Sequence, residues 1–323
     1  MVKAVALFVM LALLPLLARA LAIPDLITLA TQAAIFGLAA ASLNLLIGYT
    51  GLISFGHAAF FGLGGYIAAI LAVNASSGAS FLGIPGTNLA WVAWPIAMAI
   101  TAIAALLIGL LSLRTAGLQF IMITLAFAEM LFFLFVSLKT YGGDDGLGFR
   151  RRQLLPFIDP RDDIAFYQVS LAALAAFLGI SQLFLRARFG MVLQGIRQNP
   201  IRLRAVGVPP APYQLACFVI AGAGAGLAGA LQANALRFVS PDMLHWTTSG
   251  DLMVMVVLGG TGTLLGPVIG AWAMIGLQSI LGRWTEHWMI VLGPLLVLVV
   301  LFAPRGIWGS LTRRELAQPS KLP

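Results

Sequence analysis

Stretches of about 20 apolar residues recur along the whole chain, and at 1.5 Å per residue each is long enough for an α-helix to cross about 30 Å of hydrocarbon. Ten such windows can be drawn, at 4–22, 26–47, 51–73, 89–112, 117–138, 165–185, 213–235, 251–264, 266–282 and 288–303. Inside a bilayer every backbone polar group must be satisfied within the protein, so continuous runs of this length specify helices. The composition agrees: 60% of the 323 residues are apolar and 9% charged, with mean hydropathy +0.99, where an ordinary soluble domain carries about a quarter charged residues. The expected fold is an all-α polytopic membrane protein of about ten transmembrane or partly re-entrant helices. It would form one transmembrane domain over 1–323, with no extramembrane stretch long enough for a soluble domain.

Two windows carry too much glycine for an ordinary span. Gly259-Gly260-Thr261-Gly262-Thr263-Leu264-Leu265-Gly266-Pro267 follows the short eighth window and reads as either a break between two spans or a re-entrant turn. Non-helical backbone at membrane depth needs cover from protein or water, which places this segment in the interior. Gly51, Gly56, Gly62, Gly64 and Gly65 make the third window either flexible or closely packed. On the seventh window Gly222, Gly226 and Gly229 give a small-residue face that lets backbones approach.

Ten crossings from a cytoplasmic N-terminus place 11 basic residues inside and 8 outside, a positive-inside bias correct in sign and small in size. Acidic residues fall mostly outside on this count, Asp251 among them. The net charge of +8 therefore reports topology, and no basic stripe with interleaved aromatics points to nucleic acid. The first window, with Lys3, an apolar run and Ala20-Leu21-Ala22, imitates a cleaved signal peptide; a retained helix is expected, and either outcome leaves the remaining topology unchanged.

Equipment for catalysis is missing. The glycine-rich turn lacks the Lys-Ser/Thr pair of a phosphate-binding loop, no metal motif occurs, and His57, His245 and His287 fall in different segments. Cys217 is the single cysteine and reads as a packed thiol. Glu129 is the one acidic residue deep within a span; it is either a functional carboxyl facing a wet interior or a neutral, hydrogen-bonded one that fixes helix packing. Asn44, Ser54, His57 and Thr124 join it as substrate-pathway candidates, because they are polar residues within apolar spans.

Two loops stand out. Between Gly190 and Gly207, Val192, Leu193 and Ile196 are followed after Pro200 by Ile201, Leu203 and Val206, which predicts two short amphipathic helices. The segment 186–212 is then either a solvated basic loop or a docking surface for a cytoplasmic partner. On the other side, 139–164 holds Gly142-Gly143-Asp144-Asp145-Gly146 and Arg150-Arg151-Arg152, a mixed-charge loop suited equally to solvent and to a soluble protein.

Several motifs, in order, resemble the permease subunits of branched-chain amino acid ABC importers, most closely those of the LivM type. They are Asn44-Leu45-Leu46-Ile47-Gly48-Tyr49-Thr50-Gly51-Leu52-Ile53-Ser54-Phe55-Gly56-His57, Thr124-Leu125-Ala126-Phe127-Ala128-Glu129-Met130, Gly142-Gly143-Asp144-Asp145-Gly146-Leu147, Leu258-Gly259-Gly260-Thr261-Gly262-Thr263 and Phe302-Ala303-Pro304-Arg305-Gly306. The resemblance runs from about residue 30 to about residue 310. It implies a multi-pass protein of the bacterial cytoplasmic (inner) membrane, paired with a second permease subunit of the LivH type. It further implies two cytoplasmic ATPase subunits that hold the ATP and Mg, and an extracytoplasmic substrate-binding protein; the chain itself would carry no cofactor or metal. Gly190, Arg197, Asn199, Arg202 and Gly207 would belong to the segment that seats in the ATPase, and Asp144 and Asp145 would meet the binding protein. Permeases for urea or short amides share much of this motif set. A self-sufficient secondary transporter is the rival from another class, with Glu129 as its coupling residue, although no internal pseudo-symmetry is visible.

Overall fold

The computed structural model describes residues 25–78, 80, 81, 84–155, 159, 162–284 and 306–311, with most of 8–15 and single positions between 290 and 297. The tenth apolar window lies outside the described residues apart from 290, 293, 294 and 297, as does the first apart from 8 and 10–15.

Helix α1 runs Asp25–Asn44 and continues as a π-helical turn, Leu45–Thr50. Helices α2 (His57–Ser77), α3 (Ala90–Ser112), α4 (Leu118–Ser137) and α5 (Asp163–Arg186) follow. Two short helices, α6 (Arg188–Gln198) and α7 (Pro200–Ala205), precede the long α8, Pro210–Leu236. The chain continues through α9 (Trp246–Gly259), α10 (Gly266–Trp284) and α11 (Gly306–Leu311). Two-stranded ribbons pair β1 (Ser80–Phe81) with β2 (Ile84–Pro85), and β3 (Leu147–Gly148) with β4 (Phe238–Val239). Among the described residues six helices are long and apolar enough to cross a membrane: α1 with its π-turn, α2, α3, α4, α5 and α8. The protein is a multi-pass, all-α membrane protein.

Helix α2 is the central element, with 83% of its apolar window buried against 22% for α4. Its main partner is α8, and the contact is backbone on backbone: a Cβ on Gly64 would stand 2.1 Å from Gly226 O, and one on Gly229 would stand 1.7 Å from Phe61 O. The glycines of the third and seventh windows therefore serve close packing. Around this pair, α3 packs on α8, while α1 lies against α5, α8 and α10. The first window contributes a described fragment to the same core, where Leu11 is buried and its carbonyl accepts the Tyr167 hydroxyl at 2.8 Å.

The end carrying α6, α7 and the Gly260–Leu265 turn is here the lower end, and the end carrying both ribbons the upper. The third window begins at Gly51, but α2 starts only at His57. Gly51, at φ 76, sends its N–H back to Leu46 O and ends the π-turn, and 51–56 then climbs without helical bonding into the bundle. There His57 Nε2 lies 2.7 Å from Ser42 Oγ, eight residues above the end of the π-turn at Thr50.

The eighth window differs more. Val239 touches Gly65, Leu244 touches Gly62, and Ser249 Oγ accepts the Ala58 N–H at 2.8 Å. The segment 238–249 thus descends along α2 from the upper side, and α9 begins within the bundle. Its 14 residues span about 21 Å, short of the roughly 30 Å of a bilayer core. The turn after it holds Gly260 at φ 118 and Gly262 at φ 76, and returns the chain into α10.

At the upper end a buried polar knot ties three helices to one loop. Gln153 sends Nε2 to Ala68 O at 3.0 Å, and its Oε1 accepts from Trp94 Nε1 and from Asn234 Nδ2, both at 3.0 Å. Asn234 Oδ1 accepts the Gln153 N–H at 2.9 Å. Gln153→Leu leaves the Trp94 and Asn234 donors without this acceptor in a buried place, at about 1–3 kcal/mol each. The expected result is a thermal midpoint in detergent several degrees lower, read by Trp fluorescence; an unchanged midpoint would contradict it.

Candidate functional site

The two short helices form because their ends are chemically specified. A Cβ on Gly190 would lie 2.1 Å from Leu185 O, so only glycine lets α6 fold back under α5. Asn199 caps α7, its Oδ1 accepting from the N–H groups of Ile201 and Arg202 at 3.0 Å each, with Pro200 in the first turn. Gly207, at φ 88, ends the helix in the left-handed region. Leu193 and Ile196 are buried against the bundle, whereas Ile201 and Val206 are 75% and 77% exposed and Arg202 and Arg204 are exposed beside them. Three of the five sequence-selected residues here shape the segment, and Arg202 lies on its free surface.

Arg197 is placed differently. Its Nη1 donates to Gly48 O, a carbonyl of the π-turn, while its Cγ packs over Gly51. Gly48 in turn abuts Gly262, where a Cβ would meet the Gly262 nitrogen at 2.5 Å. Asn44, 2% exposed, holds the same turn: its Oδ1 accepts the Gly262 N–H and its Nδ2 donates to Thr263 O, each at 2.9 Å. Thr263 Oγ1 donates to Gly260 O at 2.8 Å and accepts the Gly266 N–H at 3.1 Å, closing the turn internally.

The other pathway candidates divide into two groups. Ser54, His57 and Thr124 come together around the start of α2, all fully buried: Gly56 lies on Thr124, its N–H donates to Ser54 Oγ at 3.2 Å, and Thr124 Oγ1 donates to Ile121 O at 3.0 Å. Their hydrogen bonds run within the chain, except for His57 Nδ1, which has no partner. Glu129 is half-buried on α4, with Oε1 enclosed and without a hydrogen-bond partner. It lies one turn below Phe132, whose ring packs on His245 at 5.2 Å, just ahead of α9.

At that level stands Asp251, which the count of crossings puts on the outside, at the start of the eighth window. Asp251 lies in the second turn of the half-helix α9 and is exposed, while Leu252, Met255 and Val256 on the opposite face are buried. Thr247 and Asp251, one turn apart, are both exposed among the described residues. A carboxylate at membrane depth faces water, a ligand or another subunit, because lipid costs it about 2.5–3.5 kcal/mol. The available signal was spacing: once Gly260 closes α9, Asp251 lies eight residues, about 12 Å, up the helix.

The upper surface carries the mixed charge. Asp144 and Asp145 are exposed on a 3₁₀ turn, Gly143–Asp145. Beside the loop, a cavity of about 470 Å³ is lined by Arg150, Arg151, Arg152, Asp159, Asp163 and Arg237. Arg152 is committed internally, to Asp163 at 2.7 Å and over the Phe166 ring at 4.7 Å. Among the described residues no three His, Cys, Asp or Glu side chains come together to hold a metal.

A glycine-packed membrane bundle with a half-helix bearing a carboxylate, and a capped helix pair hanging below it, has the form of a transport subunit. The chain belongs to the family of branched-chain amino acid transport system permease components, whose sequence model matches residues 26–300. It is 28% identical over 333 aligned positions to the high-affinity branched-chain amino acid transport system permease protein LivM of Salmonella typhimurium, covering 94% of this chain and 76% of that one. The protein of the same name from Escherichia coli K12 gives the same identity and coverage. No solved structure matches the chain.

Proposed function

We propose that this chain is the membrane-spanning permease subunit of an ATP-driven ABC importer for branched-chain or related amino acids, in the cytoplasmic membrane of a bacterium. The observation that carries the reading, beside family membership, is the α6–α7 pair, a capped and rigidly seated projection whose free side is apolar and basic. Such a surface suits docking into a separate ATPase, which would bind the ATP and Mg. A second permease of the LivH type covers the exposed faces of α4 and α9, two ATPases seat below, and an extracytoplasmic binding protein meets Asp144, Asp145 and the arginine-lined rim above. Substrate passes between the permeases by alternating access, with Asp251 and Glu129 facing the path and offering negative charge to its ammonium group.

The test is reconstitution with the partner permease and ATPase in liposomes. Ile201→Glu and Arg202→Glu are expected to weaken ATPase retention roughly tenfold or more, the effect of losing an interface anchor, with the permease still folded. Retention unchanged in both variants, or uptake by the permease alone without ATP, would replace the importer by a secondary transporter.

A further inference from the structure

The coupling segment meets the end of α1 through one guanidinium, that of Arg197, whose side chain is itself exposed. The π-turn at the end of α1 directs the N–H groups of Gly51 and Leu52 to Leu46 O, which leaves the Gly48 carbonyl open, as carbonyls at a helix C-terminus are. Arg197 of α6 takes it, in the position where a cation also complements the end of the helix dipole. The guanidinium lies at the same time against Gly262, where a Cβ would stand 2.9 Å from Nη1. Asn44, on the same helix as Gly48, bonds both Gly262 and Thr263. On the far side of the turn Gly306 presses on Gly259 and Gly260, so that a Cβ there would come within 2.4 Å of the Gly260 backbone. The Gly260–Leu265 turn is therefore held by α1 and α11 together, and it sets the lower end of α9, the helix that bears Asp251.

We infer that Arg197 is a positioning residue that transmits displacement of the α6–α7 segment to α9, through Gly48, Asn44 and the Gly260–Leu265 turn, and is not a contact to the ATPase. The surface that meets the ATPase is the exposed side of α7 and its end, with Ile201, Arg202 and Val206. The relay uses few bonds, each between a side chain and a backbone carbonyl or amide, so it passes a shift of α6 to the turn without disturbing the glycine-locked α2–α8 pair. The inference rests on the importer reading above.

The experiment uses the complete reconstituted complex and compares Arg197→Met with Arg197→Lys. In Arg197→Met the ATPase stays bound and ATP turnover is retained, while uptake falls roughly 10- to 100-fold, the factor carried by one charge-assisted hydrogen bond. Arg197→Lys restores most of the uptake. Spin labels give a readout that a loss of stability alone would not produce. In a Cys217→Ala background, paired labels at Met191→Cys, an exposed position on α6 outside the docking residues, and Thr261→Cys in the turn are each measured against a fixed site on the upper loops. Both respond to nucleotide in the parent protein; in Arg197→Met the label at 191 still responds and the one at 261 does not. Arg197→Gln is carried as a second variant with the same readouts, so that the result does not depend on folding of the first. Release of the ATPase by Arg197→Met, unchanged uptake, or a persisting response at 261 would each overturn the inference. An unsubstituted complex that fails to couple uptake to ATP overturns the importer reading and this inference with it, whereas a coupled parent with an unaffected Arg197→Met removes the inference alone.

Discussion

Asp251→Asn is expected to lower substrate uptake roughly 10- to 100-fold with assembly of the complex intact, the loss associated with one hydrogen bond to a charged group. The substitution keeps the shape and polarity of the side chain and removes its charge. Asp251 lies on the uncovered face of a helix that starts inside the bundle, while the buried face of the same helix, through Leu252, Met255 and Val256, holds it to the core. Structural loss should therefore be small and functional loss large. Initial uptake rates over a range of substrate concentrations separate the effects: a substrate-ammonium contact raises KM, and a contact made only during translocation lowers the maximal rate. Asp251→Leu sharpens the test, because a lipid-facing position would accept leucine without penalty. Full uptake by Asp251→Leu would remove Asp251 from the pathway.

Much of this architecture could be read from sequence because lipid imposes one rule on every span, and apolar runs of bilayer length have few other uses. The six long helices fall where the windows at 26–47, 51–73, 89–112, 117–138, 165–185 and 213–235 had put them, and 188–198 and 200–205 form the two short helices expected from Leu193, Ile196 and Pro200. Depth was not legible. Hydropathy registers that 251–264 is apolar, but the descent of 238–249 depends on Leu244 meeting Gly62 and on Ser249 accepting from Ala58, contacts between segments about 190 positions apart. For the same reason Asp251, first residue of that window, counts as outside in the sequence. Side-chain direction was equally hidden: Arg197 and Arg202 lie five positions apart in one basic segment, and only the fold turns the first onto Gly48 and leaves the second free. Asn44 was selected for being polar in an apolar span, a criterion that does not distinguish a residue facing a path from one that clamps a turn.

Gly229→Leu is expected to abolish accumulation of folded protein, and Gly229→Ala to lower stability by about 3 kcal/mol or more, the upper range for forcing atoms into a filled site. The obstacle is the Phe61 carbonyl, 1.7 Å from the position a Cβ would take, with the Gly65 nitrogen at 3.0 Å; both are backbone, and no rotamer change removes them. Gly179 on α5 provides the control, since nothing among the described residues lies within 4 Å of its Cβ position. There alanine should be neutral or stabilise by up to about 1 kcal/mol through helix propensity. Thermal unfolding in detergent and size-exclusion profiles read both, and equal midpoints for the two alanine variants would show that α2 and α8 can part cheaply. If they cannot, the consequence reaches function. Two helices locked carbonyl to Cα move as one body, so α2 and α8 form the frame of the subunit. Helices α9 and α10 are locked to each other in the same way, a Cβ on Gly270 standing 1.8 Å from Met255 O, and this second body is joined to the first by side chains: the Ser249 hydroxyl to α2, and Asn44 and Arg197 at the π-turn and the Gly260–Leu265 turn. These are the elements that join the coupling segment to Asp251.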